Sequence, residues 1–221
     1  MSFSGFLLTD LQVFGSLLLL SIILLVALVF MDFSTILRDS ALQHRLGASV
    51  FCLSLLWLTH RDFPIGMSLH FLGMSAATLI VGWPRAIMSG FIVLLLITLF
   101  QQADWVSLGV NGLVMIVVPV IAMQLFYQWI EHFQSRNIFT YIFGIGFVGT
   151  LFSTLLVILA VIAVLWGSDS FSFPGNWADY LPYVPLIILP EAVINGMVVS
   201  AITVFKPDWV ITFNQQKYLH R

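Results

Sequence analysis

Long apolar runs broken by short polar stretches dominate the chain. Seven stand out, at approximately 11–31, 46–59, 67–83, 85–101, 108–130, 138–166 and 183–205. A helix crosses the hydrocarbon layer with about 20 apolar residues. The pattern therefore predicts an all-α integral membrane protein of about seven transmembrane helices. The second run is short for a span, so it must extend into Leu58, Thr59 and His60 or cross where protein shields it. The run 138–166 is long, which implies tilt. Pro182, Pro185 and Pro190 predict a last helix that starts late or kinks near its outer end. No repeat or low-complexity tract divides the sequence, which reads as one polytopic domain over residues 1–221. The opening MSFSGFLLTD lacks the basic residues of a cleaved leader, and the run behind it is long enough to span.

Composition strengthens this picture. The chain is 60% hydrophobic and 8% charged, with a mean hydropathy of +1.05. Too little polar surface exists to face water, so its solvent is the lipid bilayer. A net charge of −2 leaves no basic patch to neutralise phosphates, which argues against a nucleic-acid partner. Cys52 is the single cysteine; it excludes an internal disulfide and reads as buried and inert. The basic residues set an orientation. With the N-terminus outside, Arg38, Arg45, Arg85, Arg136, Lys206, Lys217 and Arg221 fall on the cytoplasmic side and only Arg61 falls outside. The positive-inside rule thus predicts N-out, C-in.

Candidate chemistry is sparse. GIGFVG at 144–149 matches a dinucleotide fingerprint in letters, but it lies inside an apolar span rather than between a strand and a helix. There its glycines read as sites of close helix packing. No Walker A sequence, HExxH or Ser-His-Asp pattern occurs, so the chain reads as no enzyme, and any ATP-driven work belongs to a separate subunit. Three polar residues inside the spans stand out. Glu191 and Asn195 are four residues apart and share a helix face. Ionisable groups at membrane depth are costly and usually face a cavity or a partner. Glu191 thus serves either a structural pairing or a substrate path. His70, in MSLHFLGMSAATLIVGW, is either an interhelical hydrogen-bonding group, a gate or a transition-metal ligand. His44, His60, His132 and His220 read as solvated loop residues, and Met67 and Met74 as packing.

In order along the chain, several stretches resemble the CbiM-like family of cobalt and nickel permease subunits. Gly5, Phe6 and Leu7 fall in step with its opening Met-His-Ile-Pro-Asp-Gly-Phe-Leu. RLGASVFCLSLLWLTHRDFPIGMSLHFLGMSAATLIVGWPRAI is similar to its second helix, Phe-Pro turn, His-bearing segment and Gly-aromatic-Pro bend. Leu108, Gly109 and Asn111 match its Gly-x-Asn helix, and ILPEAVINGMVVSAITVFKPDWV resembles its last helix. The resemblance implies a bundle like the energy-coupling-factor substrate-binding components, with an extra N-terminal helix. It implies a transmembrane coupling subunit and two cytoplasmic ATPase subunits as partners, in the bacterial cytoplasmic (inner) membrane. It also implies no tightly bound cofactor, only a transported nickel or cobalt ion. That ion would be held near the outer face by the N-terminal amine of Met1, a nearby backbone nitrogen, a histidine at residue 2 and a second histidine that falls on His70. This sequence departs from the pattern at Ser2, Phe3 and Ser4, and at Val114, where a second amide is common. The loss of one imidazole implies a changed specificity, or a membrane protein that keeps the fold for a structural, assembly or sensing role.

Overall fold

Thr9 starts the first long helix, α1 (Asp10–Phe30), through a capping box: its side chain accepts from the Gln12 N–H, and the Gln12 side chain accepts from the Thr9 N–H. The computed structural model describes residues 2–63, 67–101, 104–133, 137–168 and 183–219. After α1 come α2 (Phe33–Arg38), α3 (Ser40–Leu58), α4 (Met74–Val81), α5 (Trp83–Gln101) and α6 (Leu108–Gly112). A π-pitched turn (Leu113–Val117) joins α6 to α7 (Val118–His132), and a longer one (Thr140–Val148) leads into α8 (Gly149–Trp166). The chain continues with α9 (Tyr183–Phe205) and a short α10 (Gln215–Leu219).

Among the described residues, six stretches are long and apolar enough to cross a membrane: Asp10–Phe30, Ser40–Leu58, Trp83–Phe100, Trp105–His132, Thr140–Trp166 and Val184–Phe205. Their outer faces carry Leu11, Phe14, Leu25, Val29, Phe51, Leu55, Phe143 and Leu159, all exposed. Large apolar side chains spread over so much surface need lipid around them. Cys52 belongs to this exterior: it is exposed on α3, not buried as expected, because in a bilayer the outside of the bundle is itself apolar. The helix α3 lengthens at its beginning rather than through Thr59 and His60. Asp39 caps it by accepting from the Ala41 and Leu42 N–H groups and pairs with Arg45 at 3.3 Å. The helix α9 starts at Tyr183, with Pro190 inside it.

The run 67–83 does not form a full span. Its first residues, Met67–Leu69, are a strand, and only Met74–Val81 is helical. Eight residues rise about 12 Å, well short of the hydrocarbon core. Glycines in left-handed conformations bracket this half-helix, Gly73 at φ +69° and Gly82 at φ +83°. All eight residues are buried, packed among α3, α5, α7 and α9. Both ends of α4 are therefore capped by other parts of the chain. At its C-terminal end the Ile211 N–H donates to the Ile80 carbonyl (3.2 Å), and the Thr212 hydroxyl donates to the Leu79 carbonyl (2.8 Å). Tyr127 donates in turn to the Thr212 carbonyl (3.0 Å). Nearby, Glu131 pairs with Lys217 at 2.7 Å and accepts from the Tyr218 hydroxyl. Burial, and then the Glu131 carboxylate, push the Tyr218 pKa up and keep the phenol protonated.

Candidate functional site

At the opposite end of α4 the chain builds a small three-stranded antiparallel sheet. Its strands are β1 (Ser2–Phe3), β2 (Arg61–Phe63) and β3 (Met67–Leu69), with β3 in the middle. Ser2 stands opposite Ser68 and Phe3 opposite Met67; on the other edge Arg61 stands opposite Leu69 and Asp62 opposite Ser68. The N-terminal segment thus folds back over the bundle as an edge strand.

Polar side chains secure it. The Phe3 N–H donates to Asn111 Oδ1 at 2.7 Å, and Asn111 Nδ2 donates to the Phe3 carbonyl at 3.1 Å and to Ser107 Oγ at 2.9 Å. The amide of Asn111 fills the place of a neighbouring strand, satisfying a backbone donor and acceptor that burial would leave costly. The Gly5 N–H donates to Asp104 Oδ2 at 2.7 Å. A Cβ at residue 5 would come within 2.4 Å of that oxygen, so glycine is required for the contact.

Behind the strand lies a cavity of about 220 Å³. Ser2, His60, Ser68, His70, Asn111 and Met115 are among its walls. His70 is buried, its Nδ1 3.1 Å from the Phe71 carbonyl and its ring 5.4 Å from that of Trp57. Trp57 Nε1 donates to the Leu72 carbonyl (2.8 Å), fixing the loop that carries His70.

Glu191 and Asn195 share a face, as their spacing predicts, and it is turned to the start of α4. Glu191, 2% exposed, accepts from the Leu72 N–H (2.9 Å), the Gly73 N–H (2.8 Å) and Asn195 Nδ2 (2.8 Å). Asn195 Oδ1 accepts from the Ala76 N–H at 2.9 Å. These are the orphan donors of a helix N-terminus, where a carboxylate also meets the positive end of the helix dipole. Gly73 makes the approach possible: its left-handed φ turns the loop, and a Cβ there would meet Leu56 Cδ1 at 2.8 Å. Neither Glu191 nor Asn195 lines the cavity of His70.

Of the residues read from the sequence, His70 and Asn111 meet at one cavity, with Ser2 beside them. Met1 lies outside the described residues. Val114 is buried, but Met115 rather than Val114 reaches the cavity. His60 is an exposed loop residue just past α3, as its sequence position suggests, and it also belongs to the cavity wall. Asp104 escaped notice, since a loop aspartate announces nothing until the N-terminus folds back onto it. Among the described residues, no group of three or more His, Cys, Asp or Glu side chains is placed to hold a metal ion.

The family described as "CbiM: Cobalt uptake substrate-specific transmembrane region" matches residues 5–209. The chain belongs to the CbiM family. No curated protein matches it. Two solved structures share the CbiM-like fold, one described as "Crystal Structure of an Truncated Transition metal Transporter" and the other as "Crystal Structure of an transition metal transporter". Each superposes with a TM-score of 0.68 at 14% identity and covers 92% of this chain; 99% of the first and 93% of the second are matched. This CbiM chain is accordingly a multi-pass membrane protein of metal uptake, not an enzyme. Among the described residues, the six helices long and apolar enough to cross and the half-helix α4 stand where about seven helices are expected.

Proposed function

We propose that the chain is the substrate-capture subunit of an energy-coupling-factor-type importer for a divalent transition metal, cobalt or nickel. The observation that supports it best is the cavity where the folded-back N-terminal strand meets His70 and Asn111. Imidazole nitrogen suits both ions, and the ion is cargo rather than a resident cofactor. The basic-residue bias sets this end of the bundle outside, so substrate loads from the outer face of the bacterial cytoplasmic membrane. A transmembrane coupling subunit and cytoplasmic ATPases complete the machine, because this sequence has no nucleotide motif. A second reading, a fold kept for a structural, assembly or sensing role, draws on Ser2, whose hydroxyl is a poor ligand beside an imidazole.

Uptake of labelled Ni²⁺ or Co²⁺ by cells carrying this chain and the partner subunits separates the two. His70→Ala is expected to abolish uptake while lowering stability by no more than about 0.6 to 2 kcal/mol, the worth of one hydrogen bond inside a membrane. No uptake by the wild type favours the second reading. A destabilised variant with normal uptake per folded molecule removes His70 from the site.

A further inference from the structure

The register of β2 and β3 has a consequence for His60. Arg61 opposite Leu69 is the last pair of the ladder, and His60 and His70 are the residues that flank it, one just before β2 and one just after β3. Ser68, two residues before His70, is on β3, and Ser2 stands opposite it. Ser2, His60, Ser68 and His70 all line the one cavity, together with Phe3 and Ser4.

Both imidazoles set Nδ1 beside a backbone carbonyl. His60 Nδ1 lies 3.2 Å from the Leu58 carbonyl, and His70 Nδ1 lies 3.1 Å from the Phe71 carbonyl. An Nδ1–H given to a backbone carbonyl fixes the tautomer, and it is the outer contact by which metal-binding histidines are oriented. Ser2 brings no imidazole to the same cavity.

We infer that His60 and His70 form a pair of imidazole ligands for a divalent ion of the cobalt-to-zinc series. His60, rather than residue 2, supplies the second side-chain nitrogen. The inference rests on the reading of the chain as a metal-capture subunit and names the ligands of that site. Two imidazoles make a modest site, as cargo requires: binding must be firm enough to load and weak enough to release.

The test uses the full chain, tagged at the C-terminus so that its N-terminus stays native, titrated with Ni²⁺ and with Co²⁺. X-ray absorption at the nickel edge then counts imidazoles on the bound ion. The wild type is expected to show two, and His60→Ala one, with affinity reduced about tenfold or more. His60→Gln is expected to repeat the loss, and adding Ser2→His to His60→Ala to recover part of it. Melting temperature should hold in the His60 variants, because the side chain is exposed. Unchanged affinity and imidazole count in His60→Ala overturn the inference and leave the transport reading standing. A wild type that binds neither ion overturns it as well, and the loss of uptake alongside would overturn the transport reading too.

Discussion

Glu191→Gln removes one oxygen from a carboxylate that accepts three hydrogen bonds. Oε1 takes the Gly73 N–H and Asn195 Nδ2, both at 2.8 Å, and Oε2 takes the Leu72 N–H at 2.9 Å. If the glutamine carbonyl keeps the first pair, its NH₂ faces the Leu72 N–H, donor against donor. A buried N–H left unsatisfied costs about 1–3 kcal/mol. Loss of the negative charge at the start of α4 adds about 0.3–2 kcal/mol. The sum is about 1–5 kcal/mol, which in a chain of this size lowers the melting temperature by roughly 3–20 °C. Thermal unfolding in detergent, followed by tryptophan fluorescence, reads it directly. A cycle with Asn195→Ala should show coupling between the two side chains, which share both a mutual bond and the helix they cap. A Glu191→Gln protein that melts with the wild type but loses metal uptake would refute the capping role and return Glu191 to a substrate path.

Other substitutions probe the parts that hold the site together. Asn111→Ala frees both the N–H and the carbonyl of Phe3, about 1 kcal/mol each, and should expose the N-terminus to an aminopeptidase that spares the wild type. Gly73→Ala forces a Cβ into Leu56 and a non-glycine residue to φ +69°, so its melting temperature should fall while Gly15→Ala, whose Cβ meets nothing within 4 Å, leaves it unchanged. For topology, a reporter fused after Lys217 should be active only as a cytoplasmic marker and one after Trp177 only as an outside marker; the reverse pattern would invert the bundle.

Hydropathy revealed the six full spans because lipid imposes one simple demand, about 20 apolar residues in a row. It misread 67–83, where residues as apolar as any span divide into a strand, a loop and a buried half-helix. The two positive φ angles that divide them leave no mark on an apolar pattern. Glu191 and Asn195 were visible as a pair on one face, but their partners are backbone N–H groups more than a hundred positions away, which no spacing rule reaches. His70 stood out because it interrupts an apolar run. His60 did not, because strands of three residues have no period to read, and only the folded chain brings His60 and His70 to the wall of one cavity.

Ser2, which departs from the family's opening pattern, sits in a strand that is held through its backbone. The N-terminal strand is held through backbone atoms: Phe3 by Asn111, Gly5 by Asp104, Leu7 by the Ser168 hydroxyl, and Ser2 and Phe3 by their pairing with β3. Gly5 and Asn111, both shared with the family's pattern, belong to this framework, and Phe3 fills the core beneath it. The Ser2 side chain instead faces the cavity. Backbone-held architecture lets that side chain change without loosening the strand, so Ser2 alters the chemistry of the cavity and leaves its shape in place. Selectivity among CbiM-like chains of this kind should therefore follow the side chains that line the cavity, above all those on the shared face of β1, β2 and β3, rather than any rearrangement of the bundle.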